Sequence, residues 1–157
     1  RPCRGPAGRA AQRGYGRVVT VFDTSAIVAA HARAHPQFTW ADEQIQAAAQ
    51  PALCAHSLAE TYAVLTGHPK LRYSPAQVRQ VLARLAEAWT VLPLETGDYL
   101  AAVTRCRDLG LPGGAVYDTL IAQAALRSGA GALVTLNAKH FVRLGEDVRR
   151  IVVTPED

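Results

Sequence analysis

Five residues without a charge, Val18-Val19-Thr20-Val21-Phe22, run straight into a carboxylate, Asp23. A β-branched run that is apolar on both alternating faces suits a strand covered on both sides. Such strands belong to parallel sheets sandwiched by helices. The pattern repeats along the chain, with further strands predicted at 51–55, 90–94, 132–136 and 150–153. Between them, apolar spacing predicts helices over 25–33, 41–49, about 58–65, 75–89, 97–109 and 115–127. Ser74 is placed to cap the fourth of these, with Pro75 at its first position and Gln77 completing a capping box. Val78, Val81, Leu82, Leu85 and Trp89 then form one apolar face. Thr96 is expected to cap the next helix and Gly110 to close it. Strands alternating with helices give an α/β fold with a central, mostly parallel β-sheet flanked by α-helices. After the first strand, Asp23-Thr24-Ser25-Ala26 has neither spacing of a glycine-rich phosphate loop, which disfavours nucleotide-binding versions of this architecture.

The 157 residues are 49% hydrophobic and 19% charged, the balance of one globular domain rather than a disordered chain. No apolar run approaches the ~20 residues of a membrane-spanning helix. The net charge of +4 is unevenly placed. Residues 1–17 hold five arginines and no acid, leaving 12 basic and 13 acidic residues for the rest. Phosphate attraction in the body therefore needs local patches or a bound cation rather than net charge. Residues 1–16, with four glycines, two prolines and no periodicity, are expected to be a flexible basic extension, with the folded domain over 17–157. A secretory signal is not expected, because Asp23 cuts the apolar run short. Cys3, Cys54 and Cys106 show no paired or zinc-type spacing, which points to a reducing compartment and so to the cytoplasm.

In an open parallel sheet, ligands bind beyond the carboxyl ends of the strands. Asp23 directly follows the first strand and Asn137 the fourth. Glu60 is expected within the first turn or so of the helix after the second strand. Asp118 falls in the first turn of the helix that opens after Gly113-Gly114. Taken singly, each has a structural explanation: a helix cap, a surface glutamate, a dipole partner, a turn residue. Together they place oxygen donors on one rim. Clustered carboxylates raise one another's pKa unless a cation neutralises them. Their hard oxygens suit Mg²⁺ or Mn²⁺ rather than zinc, and such a site activates water against a phosphodiester.

Four segments resemble the signatures of the PIN-domain nucleases. They are Val21-Phe22-Asp23-Thr24-Ser25-Ala26, the stretch from Ser57 to Thr66 around Glu60, Val116-Tyr117-Asp118-Thr119-Leu120-Ile121-Ala122, and the stretch from Leu133 to Phe141 around Asn137. They look most like the VapC-type ribonuclease toxins of toxin–antitoxin pairs, and the resemblance covers about residues 17–153. It implies a PIN-like fold, a Mg²⁺- or Mn²⁺-dependent endoribonuclease acting on RNA, a homodimer, and inhibition by a small antitoxin protein. Asp23, Glu60 and Asp118 match the family's three core acids, and Thr24, Ser25 and Thr135 match hydroxyls that accompany them. Asn137 departs from the pattern, since many members carry a fourth Asp there. An amide oxygen coordinates or orients water without adding charge, so one firmly held ion is expected.

Further candidates for phosphate contact are His31, Arg33 and His35, then His68, Lys70 and Arg72, then Lys139, His140 and Arg143. Trp40 and Tyr62 are candidates for base stacking, although Tyr62 also suits the core or an antitoxin face. Two rival functions share parts of the pattern. A phosphotransferase of the haloacid dehalogenase type also places Asp after its first strand, but wants a second Asp where Ser25 stands. A non-catalytic interaction module on the same scaffold would have no need of three retained acids.

Overall fold

The computed structural model describes residues 18–156. The proposed extension over 1–16 lies outside the described residues. From Val18 the chain forms β1 (Val19–Phe22), α1 (Thr24–His31), α2 (Phe38–Ala47), β2 (Gln50–Cys54), α3 (Ala55–Gly67) and α4 (Pro75–Ala88). It continues through β3 (Thr90–Leu92), α5 (Thr96–Asp108), α6 (Ala115–Arg127), β4 (Ala132–Val134), α7 (Ala138–Val142), α8 (Glu146–Arg149) and β5 (Val152–Val153). The five strands form one sheet in the order β3-β2-β1-β4-β5, and every pairing is parallel. Among the described residues, no helix is long and apolar enough to cross a membrane.

Side chains alternate across the sheet with the period of two that a strand imposes. Val21, Ala52 and Leu133 point to one face and pack under α6 through Ile121, Ala122, Ala124 and Ala125. Phe22, Leu53 and Val134, the next residue of each strand, point to the other face. There they meet Ala26 and Ile27 of α1 and Leu85 of α4. The Phe22 ring lies 4.9 Å from that of Trp89 and is fully buried. A side chain of this size, fully buried, stabilises the fold by about 1.5–3 kcal/mol. The uninterrupted apolar run that opened β1 is thus explained by burial on both sides.

Several local expectations hold. Ser74 and Gln77 form the capping box that starts α4, and Gly110, with φ of 64°, follows α5 in the left-handed region that glycine tolerates. Others shift. The cap of α5 is Glu95 rather than Thr96, because the Asp98 carboxylate accepts a hydrogen bond from the Glu95 N–H at 2.8 Å. α2 starts at Phe38, ahead of the expected 41, and α3 starts at Ala55 directly off the end of β2. Gly131 marks the tightest passage, since a Cβ there would collide with the Val18 side chain as the chain enters β4.

The strand order sets the location of the site. From β1 the chain moves to β2 and β3 on one side, then crosses to β4 and β5 on the other. The crevice between the carboxyl ends of β1 and β4 is the topological switch point, where open parallel sheets hold their ligands.

Candidate active site

Asp23 stands at that switch point. Its backbone N–H donates to the Val134 carbonyl at 2.9 Å, extending the β1–β4 ladder by one bond. Its side chain is 3% exposed and caps α1. Three donors reach the same carboxylate oxygen, Oδ2: Ser25 Oγ at 2.6 Å, Thr135 Oγ1 at 2.8 Å and the Ser25 N–H at 3.3 Å. Ser25 Oγ in turn accepts from the Leu136 N–H at 2.9 Å, and Thr135 Oγ1 from the Asn137 N–H at 3.0 Å. The hydroxyls at 25 and 135 therefore stitch the end of β1 to the turn after β4. Among the described contacts, none falls on Asp23 Oδ1.

Glu60 lies in the second turn of α3, one turn later than its sequence position suggested, because the helix begins at Ala55. Thr24 Oγ1 donates to its Oε2 at 2.6 Å, tying α3 to the start of α1. Asp118, in the first turn of α6, is 19% exposed, and its Oδ2 is 3.4 Å from His140 Nδ1 of α7. Burial pushes the Asp118 carboxyl above the ordinary range, and the charge of Asp23 adds to that push. His140 opposes it, Glu60 adds to it, and Arg143 opposes it least.

Asp23, Glu60, Asp118 and Asn137 all line one cavity of about 560 Å³, together with Thr24 and Ser25. Val28, Val64 and Leu71 supply apolar wall, and His35 and His68 stand on the loops that border it. Among the described residues the lining contains no Lys or Arg. The four residues singled out from the sequence are thus brought together. They share a cavity rather than a finished ligand shell: among the described residues, no three His, Cys, Asp or Glu side chains stand close enough to hold a metal ion. The donor set nevertheless fits a hard divalent cation. It offers carboxylate and amide oxygens without thiolate, and the mutual repulsion felt at Asp118 is the repulsion a cation relieves.

The basic candidates divide. His35 and His68 line the cavity and His140 contacts Asp118, whereas Arg33, Lys70, Arg72, Lys139 and Arg143 are exposed outside its lining. His31 is occupied locally: its Nδ1 lies 2.8 Å from the Ile27 carbonyl, and its own carbonyl accepts from Tyr73 Oη at 2.6 Å. Trp40 packs against the core beside Phe22, which removes it as a stacking surface. Tyr62 is 41% exposed, in a shallow groove with Leu58 and Ala59 of α3 and Leu82, Ala83 and Ala86 of α4. Gln37 and Leu71, which also line the cavity, carried no distinguishing signal in the sequence, because their loops lack periodicity.

Residues 20–147 match the PIN domain family. Ribonuclease VapC27 of Mycobacterium tuberculosis is 40% identical over 91 residues, which cover 57% of this chain and 64% of that protein. The aligned part therefore spans less than two thirds of that relative's length. Among solved structures, VapC20 of Mycobacterium tuberculosis, a sarcin–ricin loop cleaving toxin, superposes with a TM-score of 0.65 at 13% identity. That superposition covers 78% of this chain and 92% of the other. VapBC2 from Rickettsia felis, bound to a DNA fragment from its promoter, gives 0.63 at 21% identity over 88% and 99%. At such identities the superpositions speak for the fold alone. With the family match running from β1 into α8, and the carboxylates gathered at the switch point of the same fold, this chain belongs to the PIN domain family.

Proposed function

We propose that this chain is a Mg²⁺- or Mn²⁺-dependent endoribonuclease, the toxin of a VapC-type toxin–antitoxin pair, acting in the cytoplasm and held inactive by an antitoxin protein. One observation carries the nuclease reading: three carboxylates line a single cavity whose described lining has no Lys or Arg to neutralise them. The ribonuclease relative supplies the reaction class.

Asp23, Glu60 and Asp118 would hold the cation, and Asn137 would offer its amide oxygen beside them. Once bound, a divalent ion supplies charge stabilisation for the phosphodiester and lowers the pKa of an attacking water. The chain's own groups prepare for this. Ser25 and Thr135 hold Asp23 by Oδ2, which keeps Oδ1 for the ligand. Thr24 holds Glu60 by Oε2 in the same manner. His140 orients Asp118 and, when protonated, offsets its charge. The apolar wall from Val28, Val64 and Leu71 lowers the local dielectric, which strengthens each of these interactions. His35 and His68, on the bordering loops, are placed to donate to phosphate oxygens.

Two surfaces support the proposed partners. The groove between α3 and α4, lined by Leu58, Ala59, Tyr62, Leu82, Ala83 and Ala86 together with Arg79, suits an amphipathic antitoxin segment. Tyr99, Leu100 and Val103 expose an apolar stripe on α5, the surface available for a homodimer.

The test is RNA-end mapping and single-turnover cleavage by the purified chain across Mg²⁺ and Mn²⁺ titrations. Cleavage that needs either ion is expected. Formation of an acyl phosphate would replace the nuclease with a phosphotransferase, and neither activity would leave an interaction module.

A further inference from the structure

His56 and Tyr117 form a stacked pair that the nuclease machinery described so far does not use. Their ring centroids are 5.0 Å apart and the planes are within 10° of parallel. Tyr117 is 49% exposed, so it contributes little to the core. Its ring is nonetheless held flat against a neighbour, which removes rotamer freedom before any ligand arrives. The position is what gives the pair a role. Tyr117 immediately precedes Asp118 at the start of α6. His56 is one turn before Glu60 on α3, and residues four apart lie on the same helix face. The stack therefore sits beside two of the three carboxylates, yet neither ring lines the cavity.

We propose that the His56–Tyr117 stack is a nucleobase platform, which receives the base of a nucleotide flanking the scissile phosphate of single-stranded RNA. The proposal rests on the ribonuclease reading and deepens it. A phosphodiester held at the carboxylates must have a nucleoside on each side. The cavity, walled by Val28, Val64 and Leu71, accepts one of them. The flat aromatic surface next to Asp118 accepts the other. Stacking on an aromatic face is available to every base, so the platform fixes the register of the strand rather than its sequence. It also requires an unstacked base, which selects single strands and loops over duplex. A protein partner is the less suitable occupant, because Leu58, Ala59 and Tyr62 carry the apolar groove of α3 toward α4 while His56 follows the Glu60 face.

The test uses the shortest single-stranded RNA that the wild type cleaves at one mapped bond, plus copies with one base removed on either side of that bond. The readout is the protein concentration giving half-maximal single-turnover cleavage. Tyr117→Ala should raise it about tenfold on the intact RNA, within the range for one stacked base, and His56→Ala should raise it less. Tyr117→Phe keeps the ring and should restore wild-type behaviour. One of the two abasic copies should weaken the wild type by a similar factor while weakening Tyr117→Ala no further. Equal losses for Tyr117→Ala on the intact and both abasic RNAs would overturn the platform, as would wild-type affinity on all three. A Tyr117→Ala variant that binds RNA normally but escapes inhibition by the antitoxin would assign the stack to the protein partner and overturn it too. If the wild type itself cleaves no RNA with either ion, the nuclease reading falls, and the platform with it. Melting curves for both Tyr117 variants confirm that the exposed ring was not holding the fold.

Discussion

Carboxylates in this molecule live in two kinds of place. On the flank where α5 meets the end of α6 and α8, two acids, Asp98 and Asp147, each have an arginine. Asp98, 6% exposed, takes Arg127 from α6, and that guanidinium also donates to the Pro93 carbonyl. Asp147 takes both arms of Arg105, at 3.0 and 2.8 Å, while Arg105 also donates to the Leu144 carbonyl. At the end of β1 and β4 the partners are hydroxyls, backbone N–H groups and one histidine. The two settings move acidity in opposite directions. Arg105 holds the Asp147 carboxyl below the ordinary range, while burial and the neighbouring Asp23 lift Asp118 above it. A fold that supplies cations to its structural acids and withholds them from three others has left the second group for an external cation.

The strongest way to break this comparison is Asp118→Asn. Losing one of three formal charges for the cation should cut single-turnover cleavage by about 10³-fold, the scale of several kcal/mol of lost charge stabilisation. Stability without metal should not fall, because the substitution removes a carboxylate repelled by its neighbours. Cleavage by the variant at wild-type rates under saturating Mn²⁺ would remove Asp118 from the chemistry. A large drop in melting temperature would place it among the structural acids instead.

Arg127→Ala is the converse. It strands Asp98 as a buried charge, a change that costs about 3–5 kcal/mol when both partners are fully buried. Arg127 is 40% exposed, so solvent reaches the vacancy and about 2 kcal/mol is expected. For a chain of this length that is a fall of roughly 4–8 °C in melting temperature. The Arg127→Leu, Asp98→Leu double variant should recover much of it, and cleavage below the transition should persist in both variants. A double variant no more stable than Arg127→Ala would deny the pair its structural role.

The sequence made the rim legible and left its details hidden, for identifiable reasons. Asp23 and Asn137 could be placed because each directly follows an apolar run, although β4 ends at Val134, short of the expected 136, and Asn137 stands at the start of α7. The capping box of α4 and the limits of α6 carried their own polar and glycine punctuation. The strand order did not show, since periodicity says nothing of which strands pair. α3 hid its start because no polar cap separates Cys54 from Ala55, and that displaced Glu60 by a turn. α7 and α8, five and four residues long, are too short to show a repeat. The pairing of Thr135 with Asp23 joins residues 112 apart, which no local pattern marks; only the family resemblance singled that threonine out.

Asn137→Asp would sharpen the comparison with a gain. The site already holds unneutralised acids, and a fourth charge should tighten Mn²⁺ binding by roughly tenfold, about 1.4 kcal/mol. In metal-free buffer the same substitution should lower stability slightly, through repulsion with the other carboxylates. Titration calorimetry with wild type and variant separates these. Unaltered affinity would place the Asn137 side chain outside the ligand set despite its position on the cavity wall.

The smallest expected effect lies on the arginine flank and is read in acid. The Asp147 side chain is 48% exposed, so its paired arms with Arg105 are worth at most about 1 kcal/mol, and salt reduces that further. Because the folded carboxyl titrates below its unfolded value, the folded state binds fewer protons in that interval. The stabilisation is therefore complete above the unfolded pKa near 4 and disappears as pH falls through the lower, folded one. Asp147→Asn should be less stable than wild type in urea unfolding at neutral pH, and the two curves should converge as pH falls through the lowered pKa of the folded carboxyl. Raising the ionic strength at neutral pH should narrow the same gap. A difference that persisted undiminished into strong acid would mean that Asp147 acts through the hydrogen bond from the Val148 N–H, which an asparagine oxygen keeps only in part, rather than through the charge of Arg105. In that case the contrast between the two sets of acids would rest on Asp98 and Arg127 alone.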